Sequence, residues 1–141
     1  GNAKSMYKNI RYLSAVHFGF DAERLHLRVD FLAPARDMVV AVHVVYPRPH
    51  RVRIPMRKPV MTLDREEGTR FVTVHDLSTV AWGRILELSI PFRDLSVVSS
   101  QRIRFYVSVL KDELEVERHP ETGLLSITVP DKSYERVMWH V

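Results

Sequence analysis

The stretch Leu25–Phe31, which reads Leu-His-Leu-Arg-Val-Asp-Phe, decides the fold class of this chain. Apolar and polar side chains alternate strictly along it. Because successive side chains of a β-strand point to opposite faces, this pattern is typical of a strand with one buried and one wet face. We therefore predict a strand here, with Leu27, Val29 and Phe31 in the core.

The same alternation returns in residues 85–92 and 102–109. By the same argument these are strands with one face in the core. The stretch Met38–Tyr46 is apolar on both faces and rich in valine, which predicts a central strand. The core residues predicted from the two alternating segments are Leu88, Ile90, Phe105 and Val107.

Shorter strands and turns fill the rest of the chain. The turns carry glycine, proline and aspartate, and they separate about six to nine short strands. The sequence therefore predicts an all-β fold, an antiparallel two-sheet β-sandwich of jelly-roll or immunoglobulin-like type with one or two short helices. The shorter strands are predicted at Ile10–Phe18, Arg51–Met56, Thr69–Asp76, Leu114–Arg118, Leu124–Val129 and Val137–Val141. The helices are predicted within Phe92–Ser100 and Asp131–Val137.

Length and composition indicate one ordinary globular domain. The chain has 141 residues, of which 45% are hydrophobic and 27% charged, which fits one core and argues against long disorder. Gly1–Ala3 is typical of an expression-tag remnant, so we predict a single domain over residues 4–141. No run approaches the roughly 18 apolar residues of a membrane helix, so no membrane partner is expected. The compartment stays open.

Familiar catalytic and metal-binding motifs are missing from the sequence. It contains no Gly-rich phosphate loop, no Gly-x-Ser-x-Gly, no His-Glu-x-x-His and no cysteine. We therefore predict no catalytic residue, no metal ligand and no cofactor. Calcium is the one alternative, because Asp64, Glu66 and Glu67 place carboxylates on a predicted loop. A second carboxylate set, predicted on a solvated outer face, consists of Glu113, Glu115 and Glu117.

A basic stretch covers residues 48–59, in which Arg51, Arg53 and Arg57 are expected to share one strand face. Guanidinium groups match the oxygens of phosphates and anionic sugars, so an anion-binding module is one hypothesis. The competing interpretation is an edge strand that charge and proline protect from pairing. Aromatic residues do not interleave with the arginines, and a net charge of +4 is only a mild excess, so a nucleic-acid partner is not expected.

Two aromatic residues are candidate platforms for a sugar ring, whose C–H face stacks on a flat indole or phenol. Trp82 stands between the small residues Ala81 and Gly83, just before a strand. Tyr46 ends a strand. The alternative for Trp82 is a loop residue that covers the core, while Trp139 is expected to plug the core or anchor an interface.

Three parts of the sequence together resemble known β-sandwich modules. Phe18–Asp21 followed by Leu25–Phe31 is similar to the opening of DOMON-type domains and family-9 carbohydrate-binding modules. Glu87–Leu95 is similar to their corner, in which a strand is followed by proline, an aromatic residue and leucine. Glu117–Gly123, continued by residues 127–130 and the C-terminal aromatic residues, resembles the C-terminal end of family-57 glycoside hydrolases.

The resemblance implies a non-catalytic accessory domain. The catalytic residues of that family lie in a β/α barrel that this chain does not contain, so none is carried over. The expected partners are a carbohydrate, namely an α-glucan, and the catalytic domain of the same polypeptide. One alternative is a structural domain that packs on its own barrel or mediates oligomerisation, and the other is the anion-binding module described above. The predicted carbohydrate-binding residues are Trp82, Tyr46 and Arg53.

Overall fold

The computed structural model describes residues 11–57, 61–65, 68–71, 78–80, 84–131 and 138–140. Within them the chain forms β-strands and one short 3₁₀ helix, Phe92–Leu95. No helix among these residues has the length and apolar character needed to cross a bilayer. The strands are β1 (Leu13–Phe20), β2 (Arg24–Phe31), β3 (Val39–Tyr46), β4 (His50–Pro55), β5 (Thr62–Arg65), β6 (Gly68–Phe71), β7 (Ser78–Val80), β8 (Ile85–Pro91), β9 (Arg102–Lys111), β10 (Leu114–His119), β11 (Leu125–Thr128) and β12 (Met138–His140).

The strands form two antiparallel sheets, so the predicted all-β sandwich is confirmed. The smaller sheet has the order β12-β1-β2-β8-β7. The larger sheet has the order β10-β9-β3-β4-β5-β6, and β11 also pairs with β9. The two sheets meet in one hydrophobic cluster, where the Phe18 ring packs edge-on against the Phe105 ring at a centroid distance of 5.6 Å.

Alternation along the strands builds this core, as the sequence predicts. Each predicted core side chain lies on the apolar side of its strand and is buried. Phe105 is among the largest fully buried side chains, with 0% of its surface exposed. Burying an aromatic side chain of this size removes a large apolar area from water and dominates local stability. The other predicted core residues, all buried, are Leu27, Val29, Phe31, Leu88, Ile90 and Val107.

The apolar strand β3 lies between β9 and β4, which confirms the prediction of a central strand. Its inward side chains Val40, Val42 and Val44 are buried in the core. On its other side Ala41 is also fully buried. Its register partners are Arg53 on β4 and Ser108 on β9, so the side chains of neighbouring strands flank this small residue.

One edge of β9 is shared by two short strands placed end to end. β10 pairs with residues 107–111 of β9, and β11 pairs with residues 102–105. The chain leaves the sheet between them in a turn that contains Gly123 at φ 79°, a left-handed conformation that glycine adopts without steric cost. Arg118 donates hydrogen bonds to the carbonyl oxygens of Pro120 and Gly123, and these bonds hold the turn against β10.

Several predicted boundaries differ from the structure. The helix predicted within Phe92–Ser100 is a single 3₁₀ turn that stops at Ser96, whose φ is 56°. Phe92 and Leu95 are buried, and the left-handed backbone of Ser96 ends the helix after this one turn, before the buried Val97. The strand predicted at Thr69–Asp76 begins one residue earlier, as β6, and β5 and β7 were not predicted. Residues 132–137, where the second helix was predicted, lie outside the described residues.

Candidate functional site

The solvent-facing side of the larger sheet, called the outer face below, gathers polar side chains from neighbouring strands. Strand register determines which of them meet. His43 on β3 stands opposite Arg51 on β4 and opposite Tyr106 on β9. Residues directly opposite on one face have Cβ atoms about 5 Å apart, so these side chains form one row across the sheet.

A stack of three flat groups occupies the middle of the outer face. The rings of His43 and Tyr106 lie 4.3 Å apart with an angle of 8° between their planes. The Arg118 guanidinium covers the other side of the Tyr106 ring, 4.0 Å from its centroid. Tyr106 therefore has both ring faces covered and offers no free surface for stacking a ligand.

His43 is held within this stack by a hydrogen bond between its Nε2 atom and the Oγ atom of buried Ser108, at 2.7 Å. Partial burial lowers the pKa of His43 below its usual value, and the positive charges of Arg51 and Arg118 lower it further. The imidazole is therefore neutral at pH 7 and acts here as a flat structural group.

Ion pairs dominate the part of the outer face formed by β4 and β5, which we call the paired end. Arg51 donates to the Oδ2 atom of Asp64 from Nε at 3.2 Å and from a terminal nitrogen at 2.8 Å. A terminal nitrogen of Arg53 donates to both carboxylate oxygens of Glu113, at 2.7 and 2.9 Å. The paired end thus consists of two arginines whose charges are balanced by neighbouring carboxylates.

Arg57, the third arginine of the predicted anion-binding set, is paired with Asp37. All three guanidinium groups of that set already have a carboxylate partner. An incoming anion would first have to displace it, so the geometry argues against the hypothesis of a free Arg51, Arg53 and Arg57 surface. The sequence could not reveal this, because two of the three partners lie 20 and 60 residues away along the chain.

Glu113 reaches Arg53 from a tight turn between β9 and β10. The two turn residues, Asp112 and Glu113, have φ values of 52° and 63°. This left-handed conformation costs a residue with a Cβ atom roughly 1–2 kcal/mol, and such two-residue turns prefer Asn-Gly. The chain therefore places a glutamate where glycine would fit better, and that glutamate is the partner of Arg53.

The opposite end of the outer face, called the open end, contains Tyr46, Arg102, Arg104, Ser126 and Thr128. Tyr46 is 53% exposed and lies opposite Arg104, which in turn lies opposite Ser126. Arg102 lies opposite Thr128. All of these side chains are exposed. Within the described ranges, no carboxylate forms an ion pair with either arginine of the open end.

The predicted carbohydrate-binding residues do not form one cluster. Tyr46 and Arg53 both belong to the outer face, but along the strand direction they are about five residues apart, which corresponds to roughly 15 Å. A single sugar ring cannot contact both. Trp82 lies outside the described residues. Arg102 and Arg104 were missed as site residues, although the alternation around Ile103 and Phe105 already places them on the wet face.

The other predicted carboxylate sets also differ from expectation. Asp64 lies in β5 and pairs with Arg51 instead of lying on a loop, while Glu66 and Glu67 fall outside the described residues. Across the described ranges, no group of three or more His, Asp or Glu side chains could hold a metal ion. Glu113 and Glu115 are exposed, as predicted for a solvated face, although Glu113 also pairs with Arg53. Glu117 differs from the prediction, because it is partly buried and binds the backbone at the start of β1.

Glu117 crosses an open cleft of about 600 Å³ between β1 and β10. Its carboxylate accepts hydrogen bonds from the backbone N–H groups of Tyr12, at 2.7 Å, and Leu13, at 3.3 and 3.4 Å. This side chain therefore links the two sheets through two backbone N–H groups. A second cleft of about 600 Å³ lies beside the 3₁₀ helix, lined by Phe92, Val97 and neighbouring residues. Neither cleft includes Tyr46 or Arg53.

The outer side of the smaller sheet carries another polar network. The Asp21 carboxylate accepts hydrogen bonds from the backbone of Glu23 and Arg24 and contacts His26 at 2.8 Å. Burial on its own would raise the pKa of Asp21, but these hydrogen bonds outweigh it and lower the pKa. The network closes a turn before β2 and is accounted for by local structure.

Scans of protein-family models, of curated proteins and of solved structures found no match to this chain. The likeness to family-57 glycoside hydrolases therefore stays a prediction from the sequence.

Proposed function

We propose that this chain is a non-catalytic carbohydrate-binding domain that holds its ligand at the open end of the outer face. The observation that supports this best is the exposed ring of Tyr46, next to the hydrogen-bonding groups of Arg104 and Ser126. A sugar ring needs both an aromatic surface for its C–H bonds and polar groups for its hydroxyls. The open end offers these in neighbouring positions of three strands.

The state of the outer-face carboxylates supports the non-catalytic part of the proposal. Acid–base chemistry on a glycosidic bond needs two carboxyl groups free to face it. Asp64 and Glu113 are instead engaged by Arg51 and Arg53. An α-glucan is the ligand class that the sequence resemblance implies, and the catalytic domain of the same polypeptide is the implied partner.

Titration of maltoheptaose into the chain, followed by two-dimensional NMR, tests this proposal. Contact with a single aromatic ring supports an affinity of only about 0.1–1 mM. We expect shifts of resonances from Tyr46 and its neighbours on β9 and β11, and a loss of binding of at least about tenfold in Tyr46→Ala.

The matched control is Leu114→Ala, since Leu114 is also an exposed apolar side chain of the larger sheet but lies opposite Lys111, at the other end of β9 from Arg102 and Arg104. It should bind as the wild type does. If the wild-type chain shows no shifts with neutral or charged saccharides at about 10 mM, well above the affinity range given, the carbohydrate proposal fails. The alternative of a structural domain would then be favoured.

A further inference from the structure

The arginines of the open end differ from those of the paired end in their surroundings. Arg102 and Arg104 are adjacent on one side of β9 and exposed, and their cross-strand partners Tyr46, Ser126 and Thr128 are all uncharged. No carboxylate of the described ranges balances their charge. The open end therefore carries two positive charges beside an exposed aromatic ring.

From this juxtaposition we propose that the ligand of the open end is an anionic saccharide, whose phosphate, sulfate or carboxylate group is held by Arg102 and Arg104. This inference rests on the carbohydrate-binding function proposed above and narrows its ligand class. Residues two apart on a strand share a face at a spacing of about 7 Å. Two long guanidinium side chains at that spacing can converge on one group of anionic oxygens.

Tyr46 supplies the second half of the recognition. Tyr46 stands opposite Arg104 in the register of β3 and β9, so the Cβ atoms of the two residues are about 5 Å apart. A saccharide stacked on the Tyr46 ring can therefore direct a charged substituent towards the arginines while Ser126 and Thr128 remain available to its hydroxyl groups. A neutral glucan would use the ring but offer no negative charge to either arginine.

A nucleic-acid strand fits this surface less well than a charged sugar. Proteins that hold single strands stack successive bases on several aromatic rings along a basic groove. Among the side chains of β3, β9, β10 and β11 on the outer face, Tyr46 is the exposed aromatic one, while Tyr106 is covered on both ring faces by His43 and Arg118. This part of the outer face is therefore suited to one stacked sugar ring and one anionic group, and less suited to a single-stranded nucleic acid.

The test compares four probes at equal ionic strength: maltoheptaose, a galacturonate hexamer, a heparin hexasaccharide and a thymidine dodecamer. Isothermal titration calorimetry measures their affinities for the wild type, for the double variant Arg102→Gln/Arg104→Gln and for Arg51→Gln. Arg51 is the matched control, because it is an exposed arginine of the same face that already has a carboxylate partner.

We expect at least one anionic saccharide to bind about tenfold or more tightly than maltoheptaose. That advantage should disappear in the double variant, remain within about twofold in Arg51→Gln, and decrease as salt is raised, since salt screens exposed charges. Thermal unfolding of each variant confirms that the fold is intact. The salt dependence of the wild type tests the inference even if the double variant does not fold.

The remaining outcomes separate this inference from the proposed function. Equal affinity for neutral and anionic saccharides would overturn the inference and leave carbohydrate binding standing. Absence of binding to every saccharide would overturn both. Tighter binding of the thymidine dodecamer than of any saccharide would replace the anionic sugar with a nucleic acid.

Discussion

The two ends of the outer face carry the same residue type in different electrostatic settings. At the paired end Arg51 stands opposite Asp64 in the register of β4 and β5. At the open end Arg104 stands opposite Tyr46 and Ser126. Strand alternation sends all of these arginines to the wet side, but the neighbouring strand decides whether a guanidinium is neutralised locally. The difference shows that a count of basic residues on a face says little about where an anion could bind.

The core beneath the outer face gives the largest expected effect. Phe105 is fully buried, lies next to Arg104 in sequence and packs on Phe18 of the other sheet. We expect Phe105→Ala to lower the free energy of unfolding by about 3–5 kcal/mol, because truncation leaves a cavity in a close-packed core. Urea unfolding measures this. The exposed Leu114→Ala is the control, with a change below about 0.5 kcal/mol, and a loss under roughly 1 kcal/mol in Phe105→Ala would contradict the assigned burial.

The next prediction measures how much the left-handed backbone at Glu113 destabilises the turn that carries the partner of Arg53. Glu113→Gly and Glu113→Ala both remove the carboxylate that pairs with Arg53, but only glycine adopts the left-handed conformation freely. We expect the glycine variant to be more stable than the alanine variant by about 1 kcal/mol. Thermal and urea unfolding of the two variants measure the difference. Equal stability would show that position 113 is not strained in solution.

A smaller effect compares the two ends directly. Arg51→Gln removes an exposed ion pair, and such pairs contribute roughly 0.2–1 kcal/mol. Arg104→Gln removes no ion pair within the described residues, so we expect its stability to match the wild type within the error of the measurement. Urea unfolding at low and at high salt checks both variants, since only the Arg51→Gln difference should shrink as salt screens the pair. A larger loss in Arg104→Gln would mean that the open end contains a structural contact.

His43, in the middle of the outer face, gives the smallest expected effect on stability, and this effect depends on pH. The pKa of His43 is lowered in the folded protein below the usual histidine value of about 6.5, because the ring is partly buried and lies near Arg51 and Arg118. The unfolded chain therefore binds a proton more readily than the folded one as pH falls through that range, and stability decreases towards acid. Above this range both states are neutral and the effect vanishes. NMR titration of the His43 ring reports its pKa directly, and a value at or above 6.5 would contradict the expected direction.

The pH dependence of stability provides a second measurement of the effect of His43. His43→Gln keeps a group that can bond to the Ser108 hydroxyl but cannot titrate. Urea unfolding between about pH 7.5 and 5.5, on either side of the usual histidine pKa, should therefore show a weaker pH dependence in His43→Gln than in the wild type.

Much of the fold could be predicted from local patterns. The alternation at Leu25–Phe31 and on β9 fixes which side chains face the core, because the period of a strand is two residues. The apolar stretch that became β3 likewise indicates a central strand. The helix predicted within Phe92–Ser100 is shorter in the structure, because it ends at the left-handed conformation of Ser96, which the serine side chain does not indicate in the sequence.

The candidate site could be predicted only in part. The position of Tyr46 at a strand end indicates exposure, and it is exposed. The pairing of Arg53 with Glu113 joins residues 60 positions apart, and this contact depends on strand register and turn geometry that local sequence does not encode. For the same reason the sequence could place Arg102 and Arg104 on the wet face but could not reveal which cross-strand neighbours they would have.

The bridge from Glu117 to the backbone of Tyr12 has a consequence for the time course of folding. It joins groups 105 residues apart, so the chain must close a long loop before this hydrogen bond can form. Closing such a long loop costs conformational entropy before the hydrogen bond can stabilise the chain. We therefore expect this contact to form after the main folding barrier. Glu117→Gln should therefore accelerate unfolding while leaving the refolding rate nearly unchanged. Stopped-flow measurements of this variant would then show that the contact between β1 and β10 forms last during folding and is lost first during unfolding.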